Sequence, residues 1–364
     1  MSSTHENEFA PDVVPPPGET LLETIEAIGM SQAELAERTG RPRKTINEII
    51  KGKAAITPET ALQLERVLGV PASFWNNYER SYREYLARKA ENEQLSHHRD
   101  WLKNFPVRAM MKLGWIPESS DKIQQVRSLL RYFAIAAPEQ WDAVWVKPVV
   151  AYRKARVFTS DSYVDSAWLR QGQILAQNVE CRRFDEARFR DALVRTRALT
   201  RQPVSAWQCE LQTICADAGV AVVLVPELPK LRACGATYWL GPSKAVIQLS
   251  LRYRTDDHFW FTFFHEAGHI MLHGRTETFV EGNGEHDARE DEANRFAAQT
   301  LIPERRFQTF LASGESLTKN GIAAFAAELG IAPGIVVGRL QKEGRIPYSH
   351  CNELKRKLEW MPTP

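Results

Sequence analysis

The chain has 364 residues, of which 43% are hydrophobic and 25% charged, and its formal net charge is +2. This length exceeds one ordinary hydrophobic core, so about two or three domains are expected, and no stretch approaches the roughly 18 uninterrupted apolar residues of a membrane span. Five cysteines, an odd number without a Cys-x-x-Cys spacing, argue against a disulfide framework and a cysteine zinc site.

The first 80 residues divide into a tail and a helical domain. Residues 1–17 are polar and then proline-rich, which predicts a disordered tail. No basic segment followed by an apolar one marks the chain for secretion, so we expect a cytoplasmic protein without a membrane partner. Over residues 18–80, glycines separate short helical patterns, which predicts an all-α domain of about five helices.

The rest of the chain changes from helical to mixed patterns. Residues 81–200 carry long amphipathic stretches, such as 122–133 and 166–179, and predict a helical middle region. Residues 201–350 predict an α+β domain, because β-branched stretches at 220–225 and 245–251 precede helical patterns. Those helical patterns lie at 265–269, 289–301 and 321–341. The expected fold is therefore multidomain and mainly α.

Two short helical patterns near the N-terminus have helix-turn-helix spacing. Ser31 with Glu34 forms a capping box, and Gly40 ends the first helix. A second helix over 42–53 buries Ile46, Ile49 and Ile50 on one side. Such a second helix enters the major groove of DNA. A similar pattern at 322–341 lacks a polar reading face, so we predict that it packs within the C-terminal domain.

Local charge supports DNA binding by this second helix. Residues 38–53 contain six basic residues and one acidic residue, Glu48. Lysine and arginine neutralise phosphates, while Arg43 and Asn47 have the donors and acceptors that read guanine and adenine edges. The alternative is a generic helical bundle with a solvated basic face. The predicted DNA-binding residues are Gln32, Arg43, Lys44, Thr45, Asn47 and Lys51.

A His-Glu-x-x-His motif at 265–269 predicts a metal site. His265 and His269 project from one face of a helix and can share a tetrahedral zinc ion, with Glu266 beside them as a proton acceptor. The apolar stretch 259–264 places this helix in a core, where histidines need a strong partner. The alternative is a pair of histidines hydrogen-bonded within that core.

A catalytic zinc site requires a third protein ligand. Glu290 lies on a small-residue helix face, so we prefer it as this ligand, with Glu292 in reserve and Asn294 orienting a ligand. For both carboxylates the alternative is a charged surface helix. Tyr238 and His273 are candidates to stabilise a transition state, although either side chain also fits a packing role. A substrate strand is expected to add to the edge of the sheet that contains 245–251.

The N-terminal motifs resemble a known family of DNA-binding proteins. The stretches 31–40 and 43–50, with Gly52-Lys53 and Phe74-Trp75, look like the Cro/C1-type helix-turn-helix of HigA-type antitoxins. The resemblance implies a homodimer that binds palindromic double-stranded operator DNA near its own promoter. It also implies that Gln32 contacts the DNA.

The C-terminal motifs resemble the ImmA/IrrE family of metallo-endopeptidases. The motif at 265–269 with His273, then Glu290, Asn294 and the stretch 301–303, carries this resemblance. It implies a zincin-like peptidase domain, a zinc ion held by His265, His269 and Glu290, and cleavage of a partner regulator such as a repressor or a toxin–antitoxin component.

Two functions follow from these motifs. The first is a DNA-binding transcriptional regulator whose zinc endopeptidase domain hydrolyses a regulatory partner, associated with the nucleoid when bound to DNA. The alternative is a non-catalytic, antitoxin-like autorepressor whose zinc domain senses a signal or binds a partner.

Overall fold

A computed structural model of the chain describes residues 14–146, 161–273, 288–314 and 318–360. The chain divides into two compact units, residues 1–97 and 98–364. Most of the predicted tail, residues 1–13, lies outside the described residues. The second unit contains the predicted peptidase region together with most of the predicted middle region.

The described part of the first unit, residues 14–97, forms five helices, the number that the sequence pattern predicts, and the fifth extends past the predicted domain boundary at residue 80. They are α1 (Pro17–Ala27), α2 (Gln32–Thr39), α3 (Arg43–Ile50), α4 (Pro58–Leu68) and α5 (Ala72–His97). The Ser31 hydroxyl accepts the backbone N–H of Glu34 at 3.2 Å and caps α2. Gly40 ends α2 in the left-handed conformation, at φ 67°, which starts the turn into α3.

A single hydrophobic cluster holds these five helices together. Leu21, Leu35, Ile46 and Trp75 are all fully buried in it. A Cβ atom on Gly18 would lie 2.1 Å from the carbonyl oxygen of Ile49, so only glycine lets α1 cross α3 this closely. The core therefore fixes α3 from its apolar side and leaves its polar side to solvent.

The second unit begins with helices that the sequence predicted in part. In the described ranges they are α6 (Val107–Lys112), α7 (Lys122–Phe133), α8 (Ser162–Gln177), α9 (Glu186–Leu199) and α10 (Val204–Asp217). Short 3-10 and π turns lie at Arg99–Asn104 and Asp142–Val146. The boundaries of α7 are those that its amphipathic pattern predicts.

Three strands follow, of which the sequence predicted two. They are β1 (Val220–Leu224), β2 (Gly235–Trp239) and β3 (Ala245–Leu249). The order in the sheet is β1-β3-β2, with β3 parallel to β1 and antiparallel to β2. Strand β3 is thus central, and among the described residues β2 forms one edge of the sheet.

Five more helices follow the sheet within the described ranges. They are α11 (Asp256–Leu272), α12 (Ala288–Leu301), α13 (Glu304–Ala312), α14 (Lys319–Leu329) and α15 (Pro333–Lys342), and a 3-10 turn at Asn352–Leu354 closes the unit. The pair α14 and α15 packs in the core of the unit, as predicted, with Ile322 and Val336 fully buried.

Helices cover both faces of the sheet. Aromatic residues of α11, including Trp260 and Phe263, join Val222 and Ile247 in one core on the first face. On the second face, the buried Gln248 side chain donates to the carbonyl oxygen of Trp168 in α8 at 2.7 Å. The predicted middle region therefore packs against the sheet of the C-terminal domain, because α8 covers a face that would otherwise be exposed.

No single helix in the described ranges is long and apolar enough to cross a membrane. Helices α14 and α15 reach the length and apolar content of a membrane span only when they are taken together, and the chain bends by 114° between them.

A buried ion pair anchors the N-terminus of α11. Asp256 is 1% exposed, and its carboxylate accepts the backbone N–H and the Nε–H of Arg356, both at 3.0 Å. The Arg356 guanidinium also donates to the carbonyl oxygens of Thr200 and Gln202, which follow α9. Burial raises the pKa of the Asp256 carboxyl, and Arg356 opposes this effect. One side chain thus ties three segments of the second unit together.

We expect Arg356→Ala to lower the free energy of unfolding of the second unit by about 3 kcal/mol, because the buried Asp256 carboxylate loses its partner. Urea denaturation followed by tryptophan fluorescence measures this change. The exposed Arg345 provides a matched control, Arg345→Ala. A loss no larger than that of the control would contradict the anchoring role of Arg356.

Candidate metal centre and DNA-binding helix

Helix α11 places His265 and His269 one turn apart on one face. Four aromatic residues before them, Phe259, Trp260, Phe263 and Phe264, are buried in the core of the second unit. The two imidazole side chains are each only 8% exposed. Burial of this kind requires a partner for every ring nitrogen.

Helix α12 brings Glu290 to the two histidines. It crosses α11 at Gly268, where a Cβ atom would lie 3.2 Å from Cα of Ala293. The motif residue Gly268 and the small residue Ala293 therefore let the two helix backbones approach closely. Glu290, one turn before Ala293, is held with its side chain 18% exposed.

The three side chains form a compact triangle of ligand atoms. Nε2 of His265 lies 3.1 Å from Nε2 of His269. The Glu290 carboxylate oxygens lie 3.1 Å from His265 Nε2 and 3.3 Å from His269 Nε2. A tetrahedral zinc ion with bonds of about 2.0–2.1 Å separates its ligand atoms by about 3.3 Å. Among the described residues this is the group of three side chains that fits a metal ion.

The proton on His265 is fixed by Asn294, also on α12. Nδ1 of His265 lies 3.0 Å from Oδ1 of Asn294. An amide oxygen only accepts hydrogen bonds, so Nδ1 carries the ring proton and Nε2 keeps a lone pair. That lone pair faces the Glu290 carboxylate, and a cation between the two atoms relieves their repulsion. The donor set therefore fits a metal ion.

His273 and Glu292 lie on the far side of His269. Nδ1 of His273 is 3.0 Å from Nδ1 of His269, and Nε2 of His273 is 3.1 Å from Oε2 of Glu292. The His273 side chain is 5% exposed. Its desolvation lowers the pKa of His273 below the usual value. Glu292 thus approaches His273 and does not join the triangle formed with Glu290.

Glu266 is 1% exposed and contacts β2, the strand that the sequence analysis missed. Thr237 Oγ1 lies 2.9 Å from Oε2 of Glu266 and 3.0 Å from its carbonyl oxygen. A Cβ atom on Gly235 would lie 2.7 Å from Oε1 of Glu266. Strand β2 thus contributes the Thr237 hydroxyl group, which donates to the Glu266 carboxylate, and Gly235, which leaves space for that carboxylate.

Tyr238, a predicted transition-state stabiliser, is not brought to the triangle. Neighbouring side chains of a strand point to opposite faces, so Tyr238 points away from Glu266 when Thr237 points toward it. Its hydroxyl lies 3.1 Å from Oε1 of Gln248, and burial raises its pKa well above the usual value. The geometry corrects this expectation and leaves Tyr238 as a packing residue between the sheet and α8.

The predicted DNA-binding residues lie on or beside α3. Arg43, Lys44 and Asn47 are exposed on this helix, and Lys51 is exposed at its C-terminal end. Thr45 is half-buried on the same helix, and Gln32 is the half-buried first residue of α2. Lys44 forms a loose ion pair with Glu48 at 3.8 Å, which leaves its ammonium group accessible.

Two family models match separate parts of the chain. Residues 21–75 match the helix-turn-helix family, which covers α2 and α3. Residues 234–341 match the IrrE N-terminal-like domain of the peptidase M78 family, which covers β2 and the triangle of His265, His269 and Glu290.

Curated relatives match only part of the chain. The HTH-type transcriptional regulator YddM of Escherichia coli (strain K12) is 31% identical over 68 residues, which is 19% of this chain and 72% of YddM. Virulence-associated protein A of Dichelobacter nodosus is 37% identical over 59 residues, which is 16% of this chain and 58% of that protein. The second relative is thus matched over little more than half its length.

Among solved structures, an addiction module antidote protein of the HigA family from Coxiella burnetii is similar to part of this chain. The two are 29% identical, and the match covers 23% of this chain and 92% of that protein, with a TM-score of 0.22.

Proposed function

The chain belongs to the helix-turn-helix family of DNA-binding regulators and carries a C-terminal IrrE N-terminal-like domain, and from this premise we propose that it is a transcriptional regulator with a zinc-dependent endopeptidase domain. The substrate is a regulatory protein partner, either a repressor or a toxin–antitoxin component. The observation that carries the proposal is the triangle of His265, His269 and Glu290 with Glu266 beside it.

The donor set favours zinc among the common divalent ions. Two imidazole nitrogens and one carboxylate are the protein ligands of many catalytic zinc sites, whereas Mg²⁺ and Ca²⁺ prefer all-oxygen sites. Bound by these three residues, zinc supplies Lewis acidity toward the scissile carbonyl group and the attacking water.

In the proposed reaction, Glu266 accepts a proton from the attacking water and passes it to the departing amide nitrogen. Thr237 donates a hydrogen bond to the Glu266 carboxylate and holds one oxygen in place, while Gly235 leaves room for the other. The buried position of Glu266 keeps bulk water from competing for its proton.

Among the described residues, strand β2 forms the edge of the sheet nearest to the proposed reacting groups. It pairs with β3, and Thr237 on this strand lies beside Glu266. Because β3 is central, the predicted strand addition would occur on β2, where main-chain hydrogen bonds hold a peptide next to the reacting groups.

For the first unit we propose that α3 enters the major groove of a palindromic operator bound by a homodimer. Arg43 and Asn47 would contact base edges, while Lys44 and Lys51 would contact phosphates. Gln32 would contact the DNA backbone or base edges, and Thr45 would also contact the DNA. The exposed side chains of Arg43, Lys44, Asn47 and Lys51, on and directly after α3, support this assignment.

We expect the purified wild-type protein to contain close to one zinc ion per chain by plasma mass spectrometry. His265→Ala and Glu290→Ala should lose this zinc because each removes one of the three ligands, whereas Asp291→Ala, an exposed carboxylate on the same helix, should keep it. A folded wild-type protein without bound zinc would contradict the metal site.

Glu266→Gln should retain zinc and lose peptide cleavage, because the amide cannot accept a proton in the reaction. Quantitative sequencing of newly formed protein N-termini compares cells that produce the wild type with cells that produce Glu266→Gln. We expect cleavage sites that occur only with the wild type. Identical N-termini in both would contradict proteolysis and favour the non-catalytic regulator.

The double substitution Arg43→Ala and Lys44→Ala should weaken operator binding by about 10- to 100-fold, because it removes one base contact and one phosphate contact. The measurement uses the duplex selected by the wild-type protein from a random pool, titrated at fixed salt concentration. Arg66→Ala removes an exposed charge from α4 and serves as the control. Unchanged affinity of the double variant would contradict the assignment of α3 as the reading helix.

A further inference from the structure

Two side chains, His273 and Glu292, form a continuous line behind the proposed metal ligand His269. The carboxylate of Glu292 contacts Nε2 of His273 at 3.1 Å, and Nδ1 of His273 contacts Nδ1 of His269 at 3.0 Å. The opposite nitrogen of His269, Nε2, is the atom that belongs to the triangle with His265 and Glu290. The line therefore runs from an exposed carboxylate to the centre of the site.

When both imidazole rings are neutral, each carries one proton, and the contacts along this line fix which nitrogen holds it. The half-exposed Glu292 carboxylate only accepts, so the proton of His273 is on Nε2. Nδ1 of His273 then has a lone pair and accepts the proton on Nδ1 of His269. His269 Nε2 is left with a lone pair directed into the triangle.

We propose that His273 and Glu292 are positioning residues, which hold His269 in the tautomer that presents the Nε2 lone pair to the metal ion. The inference rests on the metal site proposed above. It gives His273 a role different from transition-state stabilisation and Glu292 a role different from that of a reserve ligand. A histidine ligand whose second nitrogen is bound to a fixed acceptor is held in both tautomer and ring orientation.

Helix α12 carries the residues that orient both proposed histidine ligands, His265 and His269. Asn294 accepts from His265 Nδ1 directly, whereas Glu292 acts on His269 through His273. Helix α12 therefore contributes the third ligand, Glu290, and both groups that set the histidine tautomers. If the His269 proton were instead on Nε2, it would point at Glu290 and remove one ligand from the site.

The first test measures zinc affinity of the full chain by competition with a chromophoric chelator, using Zn²⁺ alone as the ligand. We expect Glu292→Ala to bind zinc about 10- to 100-fold more weakly than the wild type. Glu292→Gln keeps an acceptor oxygen and should recover most of this affinity. Asp291→Ala, the matched control one residue away, should bind like the wild type. Circular dichroism and thermal unfolding check that each variant is folded.

The second test reads the tautomer itself. Nitrogen-15 NMR of the metal-free protein should place the His269 proton on Nδ1 in the wild type, and this preference should weaken in Glu292→Ala. A wild-type proton on His269 Nε2 would overturn the proposal.

The two proposals fail in different ways. If the wild type binds zinc and Glu292→Ala binds it as tightly as Asp291→Ala does, the positioning role is refuted while the metal site stands. If the folded wild type binds no zinc, both are refuted.

Discussion

The close crossing of α11 and α12 at Gly268 is the contact on which the candidate metal centre depends. At this crossing, the absence of a side chain brings Ala293 within van der Waals distance of the α11 backbone. Glu290 and Asn294 then lie on either side of Ala293 along α12 and reach the two motif histidines. A Cβ atom at position 268 would lie 3.2 Å from Cα of Ala293, so a larger residue there would require α12 to move away from α11.

The rest of the second unit supports this crossing. Phe259, Trp260, Phe263 and Phe264 pack the first half of α11 into the core, and the Arg356–Asp256 pair joins its N-terminus to the C-terminal part of the described chain. On the opposite face of the sheet, Gln248 binds α8, and Gly172 leaves the space that the Gln248 side chain fills. Helix α8, which precedes residue 200, therefore packs on β3, the strand that pairs with β2, and β2 contacts Glu266 through Thr237.

The two units use charged groups in opposite ways. In the first unit, Arg43, Lys44 and Lys51 are exposed, and their charges act over a surface where water and salt screen them. In the second unit, His265, His269, Glu266 and Glu290 are largely buried, so each requires a defined partner. A surface of the first kind suits a polyanion that is bound reversibly, and a site of the second kind suits a metal ion and directed proton transfer.

The sequence by itself determined the features that depend on local spacing. The pair His265 and His269, the cap at Ser31 and the helix 122–133 follow from periodicity and capping, which involve residues a few positions apart. Only the tertiary structure decided which carboxylate of α12 faces the histidines, that Tyr238 points to the opposite face of the sheet, and that Thr237 and Gly235 contact Glu266. Strand β2 contains glycine and alanine and is only five residues long, so its sequence has no clear alternation. Its position is set by pairing with β3 and packing against α11, which are contacts between residues distant in the chain.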